Sequence, residues 1–298
     1  MPADIDIVIV NWNAGDMLRD CVQSALDTGN DLLSKIIIVD NGSTDQSLDR
    51  LPEDARIVVV RTGENLGFGR ACNRGAALGS SRFLLFLNPD TRLYPTTLAD
   101  VCSFMDSAAA QRVGVCGIRL IEDGGAIQQH TTQYPGPLNI YRVDSFRTPF
   151  DHKSDRNVAH VIGAFYFIRR DVFTRVNGFD ERFFVYFEDL DISRRVTQAG
   201  WTIFYLSTAS SYHKGGGTSD SIKARRLFYS LTSRLQYAQK HFSTAGYLTV
   251  LAMTLTVEPA MRLVRALANR SGAEAQETIG AYRLLLGPEG PFRSRRRH

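Results

Sequence analysis

Cysteine is scarce in this 298-residue chain: only Cys21, Cys72, Cys102 and Cys116 occur, and no pair has C-x-x-C spacing. That argues against a zinc knuckle or a disulfide framework and leaves reduced thiols in a cytosolic setting as the expectation. The opening Met-Pro-Ala-Asp-Ile-Asp lacks the basic start and apolar core of a signal peptide, so secretion by that route is not expected. No apolar run reaches the length of a membrane-spanning helix; residues 245–257 fall short, and Glu258-Pro259 is expected to interrupt them. Internal repeats and low-complexity segments are absent. The front of the chain also lacks net positive charge. Residues 222–298 hold 13 Lys/Arg against 4 Asp/Glu, whereas residues 1–221 hold 22 against 27, so the net +4 is a property of the tail.

What is present is ordinary globular material, 44% apolar and 22% charged, enough for one large domain or for a domain plus an appendage. Short apolar runs stopped by polar residues recur at 6–13, 35–40, 56–60 and 83–87, the pattern of buried parallel strands. Helical periods lie between them, at 15–26 and at 64–78. Strand and helix in alternation predict an α/β domain with a mainly parallel sheet. Ligands in such sheets collect at the carboxyl ends of the strands. The polar residues there are Asn11, Asn13, Asp40, Asn41, Asn88 and Asp90.

Asp40 suits an Asx-turn over Asn41-Gly42 and could also accept the imide N–H of a uracil or thymine ring; neither role excludes the other. Asp90 ends Asn88-Pro-Asp, which is good turn chemistry and equally a carboxylate placed for Mg²⁺ or Mn²⁺ on a diphosphate. His213 precedes three glycines in 211–219, read as a flexible loop able to approach an ion. Gly67-Phe-Gly69 fails the G-x-G-x-x-G dinucleotide fingerprint because Cys72 occupies the third glycine position. Helix-terminal amides with Arg70 or Arg74 remain as candidate nucleotide contacts. Residues 123–160 are polar and proline-bearing, with no helical period, and read as a long lid.

The densest signal is Phe-Phe-Val-Tyr-Phe-Glu-Asp-Leu-Asp at 183–191. Aromatic residues run into Glu188, Asp189 and Asp191 at the start of a helix that Gly200 closes. Asp191 and Arg195 form an i,i+4 pair. Apolar surroundings would raise the pKa of an adjacent acid and suit it to general-base work, which falls to Glu188 or Asp189.

Together these stretches resemble family 2 glycosyltransferases with the GT-A fold, over about residues 5–219. The resemblance rests on Val-Asn-Trp-Asn at 10–13, Val-Asp-Asn-Gly-Ser-Thr-Asp at 39–45, Asn65-Leu-Gly-Phe-Gly and Leu-Asn-Pro-Asp at 87–90. Gly163-Ala-Phe, Gly178 to Asp191, and His213 with its glycines complete it. The nearest branch is rhamnosyltransferase-like. The resemblance implies an inverting transferase taking a sugar, rhamnose as the best single guess, from a dTDP- or UDP-sugar. The acceptor would be a hydroxyl of a saccharide or lipid-linked acceptor in cell-surface polysaccharide synthesis. Asp40 would hold the base, with Asn11 and Asn13 near the nucleotide. Asp90 matches the last Asp of the metal motif, whose first Asp is here Asn88. His213 resembles a further metal or diphosphate ligand, and Asp189, with Glu188 in play, the catalytic base. Many relatives carry an Arg where this chain has Cys72. Gly163, Tyr186 and Trp201 are the candidates lining the acceptor side.

A nucleotidyltransferase of similar fold would be expected to carry a Lys/Arg-bearing phosphate loop after the first strand; Asn11 to Gly15 contains none. A non-catalytic carbohydrate- or nucleic-acid-binding protein using the basic tail is the other alternative, and its binding would weaken steeply with salt. The expected organisation is a catalytic domain over 1–221, with a nucleotide half to about 117 and an acceptor half beyond. A basic helical appendage over 222–290 and a disordered tail at 291–298 follow. The appendage is expected to meet an anionic membrane surface or to form a homodimer, leaving the enzyme cytoplasmic or peripheral; nucleic acid is not an expected partner.

Overall fold

A computed structural model describes residues 4–128, 133–141, 152–215 and 223–292. The chain divides into two compact units. The first comprises Met1–Tyr134, Phe146–Glu181 and Asp189–Thr218, and the second Pro135–Ser145, Arg182–Glu188 and Ser219–His298.

The first unit is built on a nine-stranded mixed sheet. Its strands are β1 (Ile5–Asn11), β2 (Leu33–Asp40), β3 (Ile57–Arg61), β4 (Phe83–Leu87), β5 (Thr91–Leu93), β6 (Val113–Ile121), β7 (Arg156–Val158), β8 (Phe165–Arg169) and β9 (Thr202–His213). The spatial order is β3-β2-β1-β4-β8-β6-β9-β5, with β7 also on β9. The first four are mutually parallel, in keeping with their largely apolar sequences. β8 runs antiparallel to β4 and β6, while β6 and β9 run parallel to each other. The carboxyl ends of β1, β2, β4 and β9 and the amino end of β8 therefore share one edge.

Period-two alternation sends neighbouring side chains to opposite faces. Ile7, Ile9, Ile36, Ile38 and Leu85 pack on one face under α1 (Asp16–Gly29) and α3 (Thr97–Asp106). Val8, Val10, Ile37, Val39 and Phe86 pack on the other, with residues of α2 (Phe68–Ala76), α4 (Arg170–Arg175) and α5 (Glu188–Gln198). A Cβ on Gly75 would lie 2.5 Å from Val8 Cγ1, so this glycine is what lets α2 approach the sheet. All four cysteines are buried thiols; burial pushes Cys102 up to about 12.

The second unit carries α6 (Lys223–His241), α7 (Thr244–Ala252), α8 (Glu258–Ala268) and α9 (Gly272–Leu286). Here an expectation is corrected. Glu258-Pro259 does not interrupt the apolar segment: Thr244–Ala268 is one 25-residue helix, long and apolar enough to cross a membrane. A π turn at Met253–Val257 widens the helix just ahead of Pro259, with the Glu258 N–H reaching Met253 O five residues back. Such a turn loosens the regular ladder that a proline would otherwise break.

Two further readings change. Ser211, Tyr212 and His213 belong to β9 and pair with Leu93, Arg92 and Thr91, so His213 is strand-held rather than in a flexible loop. The lid region contains β7, paired with β9. The remainder of the glycine loop at 216–219, parts of the lid (129–132 and 142–151) and the tail at 293–298 lie outside the described residues.

Candidate active site

The shared sheet edge begins with Asn11 and Asp40, paired in register at the ends of β1 and β2. Fully buried Asn11 donates through Nδ2 to Asp40 Oδ1 at 2.9 Å and to the hydroxyls of Ser43 and Ser47 at 3.0 and 2.8 Å. Asn11 thus orients the Asp40 carboxylate across the two strands. Asn13, at φ 52°, accepts the N–H groups of Thr44 and Asp45 on its side-chain oxygen. Asn41 accepts from Leu66 N–H and donates to Asn65 Oδ1. The three asparagines therefore shape two loops around one carboxylate, and Asp40 is the group they present.

The neighbouring α2 serves a different end. Arg70 pairs with Glu181 at 3.0 Å, and Asn73 exchanges hydrogen bonds with the backbone of Phe179. Cys72 lies in the core under the sheet, where a cation would find no water.

Beyond β4 the chain turns at Asn88-Pro89-Asp90, with Thr91 N–H donating to Asn88 O. Asp90 and His213 are both buried, and His213 Nε2 lies 3.4 Å from Asp90 Oδ1. The other imidazole nitrogen, Nδ1, lies 2.7 Å from Gln128 Oε1, which holds the ring with Nε2 turned towards Asp90. Ligands at about 2.1 Å on an octahedral ion lie about 3 Å apart, so this pair fits one divalent cation. Among the described residues no third His, Cys, Asp or Glu joins them in a metal-binding group. One carboxylate and one imidazole, with phosphate oxygens and water completing the sphere, is a donor set that suits Mn²⁺ beside a nucleotide better than Mg²⁺, whose ligands are oxygens. A cavity of about 220 Å³ opens beside Asp90, with Asp20, Asp123, Arg92 and Lys214 in its wall.

Asp189, in the first turn of α5, meets the same edge through β8. Gly163 N–H donates to Asp189 Oδ2 at 3.1 Å, and Leu190 N–H to Oδ1 at 2.8 Å. His160 Nε2 stands 3.3 Å from Oδ2. Burial alone would raise this carboxyl. His160 and the two amides more than offset it, and the net direction is downward. The expected raised pKa is therefore corrected for Asp189: the group is held charged, because donors converge on it. Ala164, next to Gly163, accepts the N–H of Asn88 on its carbonyl at 3.0 Å. Two consecutive residues thus tie Asp189 to the turn that carries Asp90.

Glu188 is buried at the start of α5 and belongs to the second unit. Tyr186, also there, lines a cavity of about 420 Å³ with Lys223, Arg226 and Glu277. Trp201 does not reach the acceptor side. It precedes β9 at the opposite edge of the sheet and packs by Gly114 in the core, because α5 and β9 both carry it away from Asp189. Asp191 accepts from Arg195 Nε at 2.8 Å, the expected helix-face pair.

The sequence assigns no role to His160, Gln128 or Ser47, and Ser43 stands inside the 39–45 motif without one; His160 lies near a motif, three residues ahead of Gly163.

Residues 6–176 match the family described as glycosyl transferase family 2. An N-acetylglucosaminyl-diphospho-decaprenol L-rhamnosyltransferase of Mycobacterium tuberculosis is 26% identical over 268 residues, covering 80% of this chain and 85% of that one. The rhamnosyltransferase WbbL of Escherichia coli is 23% identical over 245 residues, with 78% and 91% covered. Among solved structures, a mannosyltransferase of Pyrobaculum calidifontis in complex with GDP-Man and Mn²⁺ superposes with TM-score 0.55 at 13% identity, over 95% of this chain and 87% of that one. S. aureus TarS superposes with TM-score 0.51 at 15% identity, and this chain spans 43% of it. With more than half its length in the family match and a sheet of the same architecture, the chain belongs to glycosyl transferase family 2 and is a glycosyltransferase of the GT-A fold.

Proposed function

We propose that this enzyme moves a sugar, rhamnose as the best single reading, from a dTDP- or UDP-sugar to a hydroxyl of a saccharide or lipid-linked acceptor, with inversion at the anomeric carbon. The setting is cell-surface polysaccharide synthesis at the cytoplasmic side of the membrane. The observation that carries the reading is the link between Asp189 and Asp90 through Gly163 and Ala164. A proton acceptor and a diphosphate-side carboxylate are thereby held on one rigid edge.

Asp40 accepts the imide N–H of the pyrimidine, in the orientation that Asn11 gives it. Asp90 and His213 would hold Mg²⁺ or Mn²⁺, which supplies positive charge against the departing diphosphate. The acceptor oxygen bonds to the anomeric carbon as that carbon's bond to the diphosphate oxygen breaks. The hydroxyl proton passes to Asp189, and one in-line displacement inverts the centre. A carboxylate kept charged suits this step, because the hydroxyl becomes strongly acidic only as its oxygen bonds to carbon. Asp189 is favoured over Glu188 because it is only partly buried and its Oδ2 is oriented by Gly163.

The test is turnover of a panel of dTDP- and UDP-sugars with Mn²⁺ and a membrane extract as acceptor source, comparing wild type with Asp189→Asn. Turnover should fall about 10²–10⁴-fold in the variant while nucleotide binding persists. Unchanged turnover would move the base elsewhere, and failure of the wild type to bind any nucleotide would end the reading.

A further inference from the structure

The helix Thr244–Ala268 is about 37 Å long and presents two unlike faces. One is committed to its own unit. Gly246, Val250, Thr254 and Ala266 are buried, Tyr141 OH donates to Val250 O, and Tyr282 OH donates to Thr254 O at 2.7 Å. Glu258, the helix's only acid, is paired with Arg234 and Arg262. The other face is bare. Met261 is 67% exposed, Val264 65% and Leu267 77%, with Leu248 and Val257 also out. The π turn inserts one residue's worth of rotation, about 100°, between α7 and α8. That rotation swings Leu248, which a plain α-helix would set nearly opposite Met261, towards the exposed face of α8.

Alongside runs an apolar groove of about 470 Å³ between α8 and α9, lined by Pro259, Leu263, Ile279, Tyr282 and Leu286, with Arg283 at its wall. Ile279 and Leu286 are themselves exposed. Arg265, Arg270 and Arg283 are exposed around this surface. It is apolar at the centre, basic at the margin and free of acid along the bare face.

We propose that this face docks on an anionic bilayer, with the helix lying in the interface plane. Met261, Val264 and Leu267 would enter the acyl boundary, and Arg265, Arg270 and Arg283 would meet lipid phosphates. Spanning is disfavoured because the inner face would have to expose the Glu258 ion pairs and the Tyr141 and Tyr282 contacts to hydrocarbon. A second copy of the chain fits less well, since a two-fold contact would oppose these arginines to their own copies, whereas anionic lipid complements them. The inference goes beyond the proposed reaction and needs neither donor nor acceptor.

The experiment is co-flotation of the full chain with vesicles of phosphatidylcholine alone and of phosphatidylcholine mixed with phosphatidylglycerol. Binding to the anionic vesicles is expected, weakening with salt and reversed by an alkaline wash. Met261→Glu/Val264→Glu should weaken it about tenfold or more, while Met261→Leu/Val264→Leu preserves it. Arg265→Gln/Arg283→Gln should lose the preference for anionic lipid. Circular dichroism and donor hydrolysis in solution should be unchanged in all three variants, which separates this surface from the reaction. The proposal is overturned if the wild type stays off both vesicles, if the glutamate variant floats equally well, or if the protein resists the alkaline wash as a spanning helix would. It is likewise overturned if sedimentation reveals a dimer that the glutamate variant splits.

Discussion

Burial pulls Asp189 towards its neutral form, while His160 and two backbone amides pull it back; the donors win. Its folded pKa lies below the unfolded carboxylate value of about 3.9. The stabilisation linked to that difference is therefore fully present above the unfolded value and is lost as pH falls through the folded one. The acid limb of kcat/KM should follow the same group. Replacing His160 with Ala leaves burial opposed by the amides alone, so the limb should move to higher pH, with a smaller loss at neutral pH than Asp189→Asn gives. A pH–rate profile with an unmoved limb would reduce His160 to packing. His213 invites a parallel test. With Nδ1 on Gln128 and Nε2 towards Asp90, His213→Ala should raise the Mn²⁺ needed for half-maximal donor binding by about tenfold or more. Gln128→Leu should raise it less, because it frees the ring's orientation but leaves the ligand. A Mn²⁺ titration of fluorescent-nucleotide binding reads both.

Among the elements, the edge opposite the site is pinned by an ion pair. Asp6, wholly buried near the start of β1, accepts from Arg170 at 2.7 Å and from Ser81 N–H at 2.8 Å. Arg170 also donates to the carbonyls of Ala76 and Ser81. Asp6→Ala should cost about 3–5 kcal/mol, since it strands a half-buried guanidinium, and the urea midpoint should fall accordingly. Asp6→Leu with Arg170→Met should recover much of that loss; a single variant near wild type would mean that water already serves this pair. Nothing in the sequence announced the pairing, because its partners are 164 residues apart and each looks like an ordinary strand-flanking charge. The strands themselves were legible for a physical reason. A parallel strand covered on both faces must be apolar throughout, and 83–87 or 35–40 can hardly be anything else. β5, three residues with one exposed, carries no such constraint. The end of β9 hides behind Ser-Ser-Tyr-His, whose small hydroxyls look like loop chemistry although Ser211 is buried. The helix through Pro259 was masked by a rule that holds for regular α-helix and relaxes at a π turn. The site divides in the same way. Asp40, Asp90 and Asp189 stand where apolar runs stop, so contrast marks them. His160 and Gln128 sit in polar stretches and acquire meaning only when folding brings them to a carboxylate and an imidazole.

At the scale of the molecule, binding and chemistry fall on separable residues, and thermal stability can tell them apart without any acceptor. A ligand that binds only the folded state stabilises it by about 2.7 kcal/mol at one hundred times its Kd. For a unit of this size each kcal/mol moves the midpoint by about 2–4 °C, so a matched nucleotide-sugar with Mn²⁺ should raise the transition by about 5–10 °C. Asp189→Asn should keep that rise, because the base side touches the acceptor hydroxyl. Asp40→Ala should lose most of it, and with it any preference for a pyrimidine over a purine nucleotide, since Asn11 would then present nothing to the ring. Met261→Glu/Val264→Glu should leave the rise intact, because it alters only the outer face of the Thr244–Ala268 helix. Retention of the full shift in Asp40→Ala would remove Asp40 from the nucleotide site. Loss of it in Asp189→Asn would mean that this carboxylate holds the donor rather than the acceptor's proton, and the direction of transfer across the sheet edge would have to be redrawn.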